Sequence, residues 1–134
     1  MRWRRTEQAT DDVGGMKVCN LTGPQCSDRF GVGAADLGAM TDLPGGEIIS
    51  VFGDTYRDAR AGSPDWRSPV ILIGHRDDAG QLVWDRAGGP DPGYARQLWP
   101  YVHDSPPWRS GGFSTVIPSC LLYTSDAADE RSSV

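Results

Sequence analysis

Two aspartates are the residues of this sequence whose spacing most directly suggests catalysis. Asp36 and Asp54 each have a glycine within two positions, and they lie at equal distances from Gly45 in a Pro-Gly-Gly turn signal. If the strands on either side of this turn pair symmetrically, the two carboxylates face each other on the same side of the sheet. Facing carboxylates repel, so the protonated form of at least one is favoured, which suits general acid catalysis.

The same two residues are also compatible with a purely structural role. Aspartates at strand ends often act as turn residues whose side chains bond to nearby backbone N–H groups. Acidic pairs of this kind are common in hairpins, so spacing alone leaves both interpretations of Asp36 and Asp54 open. The glycines near them, Gly33, Gly38 and Gly53, would let a ligand approach the backbone closely.

An arginine and four tryptophans are weaker candidates. Arg67, which precedes a Ser-Pro pair, could bind a sugar hydroxyl or orient a carboxylate, and it could equally be a surface arginine. Flat aromatic rings can stack on the C–H faces of sugars, but tryptophans more often fill a core. The tryptophans in question are Trp66, Trp84, Trp99 and Trp108.

Metal and cofactor sites are not indicated by the sequence. His75 and His103 are far apart in the chain and have no paired ligand spacing, so we expect no metal site. The Gly-Val-Gly at 31–33 lacks the third glycine of a dinucleotide-binding loop, and the sequence has no nucleophile elbow or phosphate-binding loop. We therefore expect a protein that works without a cofactor.

Composition favours a small all-β protein. The chain of 134 residues contains 17 glycines and 10 prolines, a content typical of turn-rich β structure. Its net charge of −5 argues against nucleic acid as the main partner. No apolar run approaches the ~20 residues that cross a bilayer, so no membrane span is expected. The basic start at 1–5 leads into polar residues rather than an apolar segment, so the sequence shows no signal peptide.

Four strands in a row are predicted from apolar and β-branched runs that are separated by turn signals. They cover 34–43, Glu47–Phe52, 68–75 and 81–85. Four strands joined by short turns form an antiparallel meander of the size of one propeller blade. A short strand at 16–21, an irregular or briefly helical segment at 94–102 and the start of a second blade at 113–117 complete the prediction.

The chain is predicted to divide into three parts. Residues 1–15 are polar and aperiodic, and we interpret them as a disordered lead or a miscalled start. Residues 16–119 form the β domain. Residues 120–134 resemble the in-frame translation of a transposase-type sequencing adapter, so we expect the native sequence to be cut off near Ser119.

Two cysteines belong to the predicted native part. Cys19 and Cys26 lie in a Gly/Pro-rich stretch and could close a small disulfide loop in an exported protein. Free thiols are equally compatible, because the sequence does not show whether the two Cα atoms come close enough. The sequence therefore leaves the state of this pair open.

Five short motifs, taken together, resemble a known family. They are Leu21-Thr22-Gly23-Pro24, Ala35-Asp36-Leu37-Gly38, Val51-Phe52-Gly53-Asp54-Thr55, Trp66-Arg67-Ser68-Pro69 and Thr115-Val116-Ile117-Pro118. The motifs follow one another in the family's order and cover residues 18–119. On these motifs the chain resembles a bacterial domain-of-unknown-function family whose characterised members are endo-D-arabinanases of mycobacterial arabinan.

The resemblance implies a fold and an activity. The fold is a β-propeller, expected to have five blades with the site in a central funnel, of which this sequence holds roughly one and a half. The activity is endo-acting, inverting hydrolysis of α-D-arabinofuranosidic linkages in arabinogalactan and lipoarabinomannan. A polysaccharide is the implied partner, and the implied location is secreted or associated with the cell wall. The fragment alone is expected to be inactive.

The resemblance also implies site residues. Asp36 and Asp54 match the family's catalytic pair, and we favour Asp36 as the base and Asp54 as the acid without fixing the division. Predicted substrate-binding residues are Arg67, Trp66, Gly53 and Thr55. Inverting glycosidases separate their carboxyl groups by about 6.5 to 9.5 Å, which exceeds the separation of a directly opposed pair, so a bulge or splayed strand ends are required.

Two other functions are weighed against hydrolysis. One is a non-catalytic glycan-binding propeller, and the other is a structural or partner-binding propeller in which the aspartates are turn residues. A binding module has no need of two facing carboxylates, which cost folding energy. The glycine-flanked acids therefore favour the hydrolase.

Overall fold

Regular structure in this chain is almost entirely β. The computed structural model describes residues 19–36, 38–103 and 114–121. Over these ranges the elements are a 3₁₀ turn at Asp28–Phe30 and the strands β1 Ala34–Ala35, β2 Ala39–Asp42, β3 Glu47–Phe52, β4 Thr55–Tyr56, β5 Val70–Arg76 and β6 Leu82–Ala87. The prediction of an all-β fold is thus confirmed.

The four longer strands form the predicted antiparallel meander. Their order in the sheet is β2-β3-β5-β6, and β1 pairs with β4 in a second, two-stranded sheet. The β2–β3 turn contains Gly45 and Gly46, both with φ of +88°, a backbone conformation that other residues rarely adopt. The β5–β6 turn is held by Asp77, whose Oδ1 accepts hydrogen bonds from the N–H groups of Ala79 and Gln81 at 2.9 and 2.8 Å.

The first predicted strand, 34–43, is wrong as a continuous element. It is divided into β1 and β2, which belong to different sheets. The division falls at Asp36, whose N–H donates to the carbonyl of Asp54 at 3.1 Å and whose carbonyl accepts from the N–H of Gly53 at 2.9 Å. One residue thus bonds to two successive residues of the facing chain, as in a β-bulge, and the regular ladder stops there.

Two other predicted elements differ from the structure or lie partly outside it. Residues 94–102 are irregular, which agrees with one of the two alternatives for that segment. Residues 114–117, the described part of the predicted start of a second blade at 113–117, form no strand. The described part of the predicted strand at 16–21, residues 19–21, forms no strand either. Residues 16–18 and 113, like the termini 1–15 and 122–134, lie outside the described residues.

The core is built on one face of the meander. Alternate residues of β3 are buried, and so are their neighbours on β5 and β6. Members of this core include Ile48, Phe52, Val70, Leu72 and Trp84. The rings of Phe52 and Trp84 meet edge to face at 6.0 Å, and the Trp84 indole N–H donates to the carbonyl of Leu21 at 2.7 Å. Trp84 is therefore a core residue.

Along the described parts of the chain, no helix has both the length and the apolar character needed to cross a membrane.

Candidate functional site

The two aspartates are brought together by the register of the first hairpin. Ala39 lies opposite Val51 in the β2–β3 pair, and Ala35 lies opposite Thr55 in the β1–β4 pair. Both pairings are symmetric about Gly45, as predicted. Asp36 and Asp54 lie opposite each other between these two pairs. Their direct backbone hydrogen bond of 3.1 Å confirms that they are neighbours across the hairpin.

Strand pairing is interrupted where Asp36 and Asp54 lie. An inverting pair requires such an interruption, because its carboxyl groups are farther apart than those of directly opposed residues in a regular ladder. The regular ladder stops after Ala35 on one strand and after Phe52 on the other, and it resumes beyond the acids. A bulge bends the strand and re-aims the side chains beside it. An inverting pair at these positions requires a bulge or splayed strand ends, and the bulge at Asp36 is compatible with that requirement.

Gly53 packs directly beneath the side chain of Asp36. A Cβ atom at this glycine would lie 3.3 Å from Oδ1 of Asp36 and 3.1 Å from Cδ1 of Ile117. Any larger residue would therefore push the Asp36 carboxyl group or Ile117 away. The structure gives Gly53 a positional role, and its predicted contact with substrate stays a prediction.

The carboxyl group of Asp54 is held by two neutral donors. The indole N–H of Trp66 and the hydroxyl of Thr115 both donate to Oδ1 of Asp54 at 2.7 Å. Oδ2 receives no hydrogen bond from any residue that the structure describes. Two donors on one oxygen fix the orientation of the carboxyl group.

Trp66 reaches Asp54 because the chain beside it is paired to Thr55. The N–H groups of Thr55 and Arg67 each donate to the other's carbonyl at 2.9 Å. The Trp66 indole is stacked on the His103 ring at 3.9 Å and lies 6.5 Å from the Tyr56 ring, with an interplanar angle of 22° in both cases. Trp66 is therefore part of an aromatic stack that supports Asp54. Its predicted contact with substrate stays a prediction.

Arg67 is buried rather than exposed. Its guanidinium donates to the carbonyls of Gly31 and Ala95, and its Nε donates to the carbonyl of Asp65 at 3.1 Å. The group also lies 4.7 Å from the centre of the Tyr94 ring, and burial lowers the pKa of Arg67. The interpretation as a surface arginine is wrong, and these contacts show an arginine that joins separate segments. A contact with substrate stays a prediction.

Thr55 is also internal. It is fully buried, and its hydroxyl donates to the carbonyl of Gly53 at 2.9 Å. This bond closes the tight turn of backbone around Asp54. The structure thus gives the Thr55 hydroxyl a partner within the protein, and the predicted substrate contact stays untested.

Three residues of the site were missed by sequence reasoning. Tyr56 is paired with Ala34 and lies two positions after Asp54, and its ring is stacked near that of Trp66, which donates to Asp54. Burial raises the pKa of the Tyr56 hydroxyl, and the charges of Asp54 and Asp36 raise it further, against a hydrogen bond with the Gly62 backbone. The phenol therefore lies in the field of both acids. Its place two positions after Asp54 was the signal that could have found it.

Thr115 and His103 are the other two. Thr115 belongs to a motif noted in the sequence, but nothing local indicates that it contacts a residue 61 positions earlier. His103 is held at both ring nitrogens, by the carbonyl of Ser114 at 2.7 Å and by Oε1 of Gln97 at 3.0 Å. These contacts join distant loops, so the sequence carries no short-range signal for them.

A pocket of about 240 Å³ opens beside Asp36. Its lining residues are Leu21, Thr22, Ala35, Asp36, Gly38, Met40, Ser50 and Phe52. Most of the wall is apolar, while the Asp36 carboxyl group and the side-chain hydroxyls supply polar contacts. Such a mixture suits a small ligand with one apolar face and several hydroxyl groups.

The remaining tryptophans and histidines lie apart from this cluster or outside the described residues. Trp99 is exposed on a loop, and Trp108 lies outside the residues that the structure describes. His75 bonds through Nδ1 to Oδ2 of Asp85 at 2.7 Å on the surface of the meander. Across the described ranges, no three His, Cys, Asp or Glu side chains are grouped so that they could hold a metal ion.

The chain belongs to the family described as Domain of unknown function (DUF4185), whose model matches residues 22–128. The matched range includes both aspartates, the aromatic stack and Thr115.

Two curated fungal proteins are similar to part of the chain. Notoamide biosynthesis cluster protein J' of Aspergillus versicolor is 36% identical over 66 residues. Notoamide biosynthesis cluster protein J of Aspergillus sp. (strain MF297-2) is 41% identical over 66 residues. The alignment covers 47% of this chain and 18% of each relative, so the chain spans less than a fifth of the length of these proteins.

Proposed function

We propose that the full-length protein hydrolyses α-D-arabinofuranosidic linkages within cell-wall arabinan, endo-acting and with inversion, through Asp36 and Asp54. The observation that carries this proposal is the pair of facing aspartates, one of them fixed by two hydrogen bonds to a single carboxyl oxygen. Inverting glycosidases need two carboxyl groups, one to protonate the leaving oxygen and one to activate water. The choice of arabinan rests on the five sequence motifs.

The surroundings of the two acids favour a division of roles opposite to the one expected from the sequence. Hydrogen bonds from Trp66 and Thr115 fix the orientation of the Asp54 carboxyl group, so it suits the base that holds the attacking water and takes its proton. Asp36 lines the pocket in which we place the sugar, so its carboxyl group can reach the leaving oxygen of a bound substrate. We therefore assign Asp36 as the acid that protonates the leaving oxygen.

Thr115→Val is expected to lower kcat of the full-length protein on arabinan by about 10-fold or more. The substitution keeps the shape of the side chain and removes one of the two hydrogen bonds to Asp54, and a bond to a charged group is worth roughly 1.5 to 3 kcal/mol. Thr41→Val is the matched control, because Thr41 lies in β2 on the other face of the sheet. Equal rates for the two variants would show that Thr115 does not support the reaction.

Tyr56→Phe is expected to raise KM for arabinan several-fold, with a smaller effect on kcat. A phenol of ordinary pKa is already protonated at neutral pH, and the raised pKa of Tyr56 acts in the same direction, so its hydroxyl can donate a hydrogen bond to a sugar oxygen beside the acids. Tyr94→Phe is the control, since the Tyr94 hydroxyl only accepts a weak bond from Arg57 at 3.3 Å. An unchanged KM in Tyr56→Phe would exclude this contact.

The wider context of the proposal is a secreted or cell-wall-associated protein with the fold of a five-bladed propeller. Support for the fold comes from the four-stranded antiparallel meander, which has the form of one blade. The other support is the resemblance of the motifs, which extends to arabinogalactan and lipoarabinomannan as the polysaccharides cleaved.

A non-catalytic glycan-binding propeller is the second candidate, and the pocket beside Asp36 would serve it equally well. One experiment separates the two functions. The full-length protein is incubated with purified mycobacterial arabinogalactan, and soluble oligosaccharides and retention of the protein on an arabinan affinity gel are both measured. Release of oligosaccharides supports the hydrolase. Retention without release would replace it with the binding module.

A further inference from the structure

Cys19 and Cys26 come together at a second pocket, away from the aspartates. Both thiols are half-buried and pack against the core, and both line a pocket of about 280 Å³ that also contacts Gln81 and Leu82. Neither sulfur takes part in the candidate site. Sequence alone left open whether this pair forms a bond.

The chain between the two cysteines is folded back on itself. The carbonyl of Gly23 accepts hydrogen bonds from the N–H groups of Cys26, Ser27 and Asp28 at 3.1 to 3.2 Å. Gly23 and Gln25 both have positive φ, of +115° and +62°, which reverses the chain direction. As a result the Cys26 thiol reaches the carbonyl of Asn20, the residue after Cys19, at 3.1 Å.

We propose that Cys19 and Cys26 are a redox-active pair that forms an intramolecular disulfide when the protein meets a small-molecule disulfide such as oxidised glutathione. One cysteine thiolate attacks the glutathione disulfide and releases one glutathione as its thiol. The second cysteine then loses its proton, attacks the mixed disulfide and releases the second glutathione. The two cysteines are oxidised, and one glutathione disulfide is reduced to two thiols.

The order of attack follows from the surroundings of the two sulfurs. Burial raises the pKa of the Cys26 thiol, and the nearby Cys19 and Asp28 raise it further. A thiol that ionises less readily is a poorer attacking group. The Cys26 thiol also donates a hydrogen bond to the carbonyl of Asn20, which favours its protonated form. Cys19 therefore attacks the external disulfide, and Cys26 resolves the mixed disulfide.

The bond would act on the pocket beside Asp36. Leu21 and Thr22 lie between the two cysteines and form part of the wall of that pocket. Leu21 is already held on one side by the Trp84 indole N–H at 2.7 Å. A disulfide closes residues 19–26 into a short loop and restricts the motion of this part of the pocket wall. It also stabilises the folded state, chiefly by restraining the unfolded chain. This inference does not depend on the proposed hydrolysis.

The test uses the 134-residue chain itself, with Cys120 as an internal reference. Cys120 is exposed, and trypsin separates it from residues 18–29, which carry both Cys19 and Cys26 on one peptide. The folded protein is treated with oxidised glutathione, remaining thiols are alkylated, and the tryptic peptides are weighed. The expected result is that peptide 18–29 is two hydrogens lighter than its dithiol form, with no alkyl group and no glutathione.

Two other results would overturn the proposal. Peptide 18–29 could carry two alkyl groups while Cys120 has taken glutathione, or it could carry two glutathiones. The variant Cys26→Ser provides the second measurement, because Cys19 should then retain one glutathione that no neighbour displaces. Reductant should lower the thermal unfolding midpoint of the oxidised wild type and leave that of Cys26→Ser unchanged. Equal changes of the unfolding midpoint in the wild type and in Cys26→Ser would also contradict a disulfide between Cys19 and Cys26.

Discussion

Replacing Asp54 with asparagine is expected to lower kcat of the full-length protein on arabinan by about 10²- to 10⁴-fold, the usual contribution of a general acid or base. Asparagine has the same shape and keeps an oxygen that can accept the hydrogen bonds of Trp66 and Thr115. It cannot take a proton from water at neutral pH. The loss should therefore appear in the chemical step and leave the folded structure intact.

Asp78→Asn is the matched control for this variant. Asp78 is exposed in the β5–β6 turn, so the same chemical change there should leave the rate unaltered. Thermal unfolding and circular dichroism of both variants show whether the fold is kept. A rate for Asp54→Asn close to that of Asp78→Asn would remove Asp54 from the reaction and with it the acid pair.

Replacing Arg67 with methionine is expected to destabilise the protein by roughly 2 to 4 kcal/mol, because buried carbonyls would lose their donors. Arg67 is 5% exposed, and its guanidinium donates to the backbone carbonyls of Gly31 and Ala95. Methionine fills similar space but cannot donate. The pairing of residue 67 with Thr55 is made by backbone groups and should be kept in the variant, so the loss reports on the guanidinium alone.

Urea unfolding of the folded protein measures this effect, with Arg76→Met as the control. Arg76 is exposed at the end of β5, and its guanidinium lies 4.0 Å from Asp42, so its loss should change stability by less than about 0.5 kcal/mol. Arg67→Lys should recover only part of the stability, because an ammonium group lacks the planar fork that reaches both carbonyls. Equal stability of Arg67→Met and wild type would contradict the structural role.

The hairpin shows how far sequence reasoning reaches. Glycines at 45 and 46 allow a turn that few other residues adopt, and the turn position fixes the register, so the juxtaposition of Asp36 and Asp54 follows from local chemistry. The strand break at Asp36 does not follow in the same way. Whether a ladder continues or bulges depends on how both strands pack, and the sequence between 34 and 43 has no feature that marks the interruption.

The rest of the site depends on contacts between distant parts of the chain. The partners of Arg67 are backbone carbonyls, which every residue has, so no pattern of side chains predicts that this arginine is buried. Thr115 donates to Asp54 from a loop 61 residues away, and no local pattern predicts a contact between such distant positions. Residue type predicts that Trp66 contacts substrate, and it gives no signal for the stack of Trp66 on His103 that the structure shows. Tertiary packing decides each of these cases.

The most direct test of the acid and base assignment is the rate of Asp36→Asn on two substrates, in the full-length protein. One substrate is arabinan, whose leaving sugar oxygen needs a proton, and the other is an aryl oligoarabinofuranoside, whose phenolate leaves without one. We predict that the variant loses hydrolysis of arabinan by about 10²-fold or more and keeps most of its rate on the aryl glycoside. Wild-type rates on arabinan, or equal losses on both substrates, would contradict Asp36 as the acid.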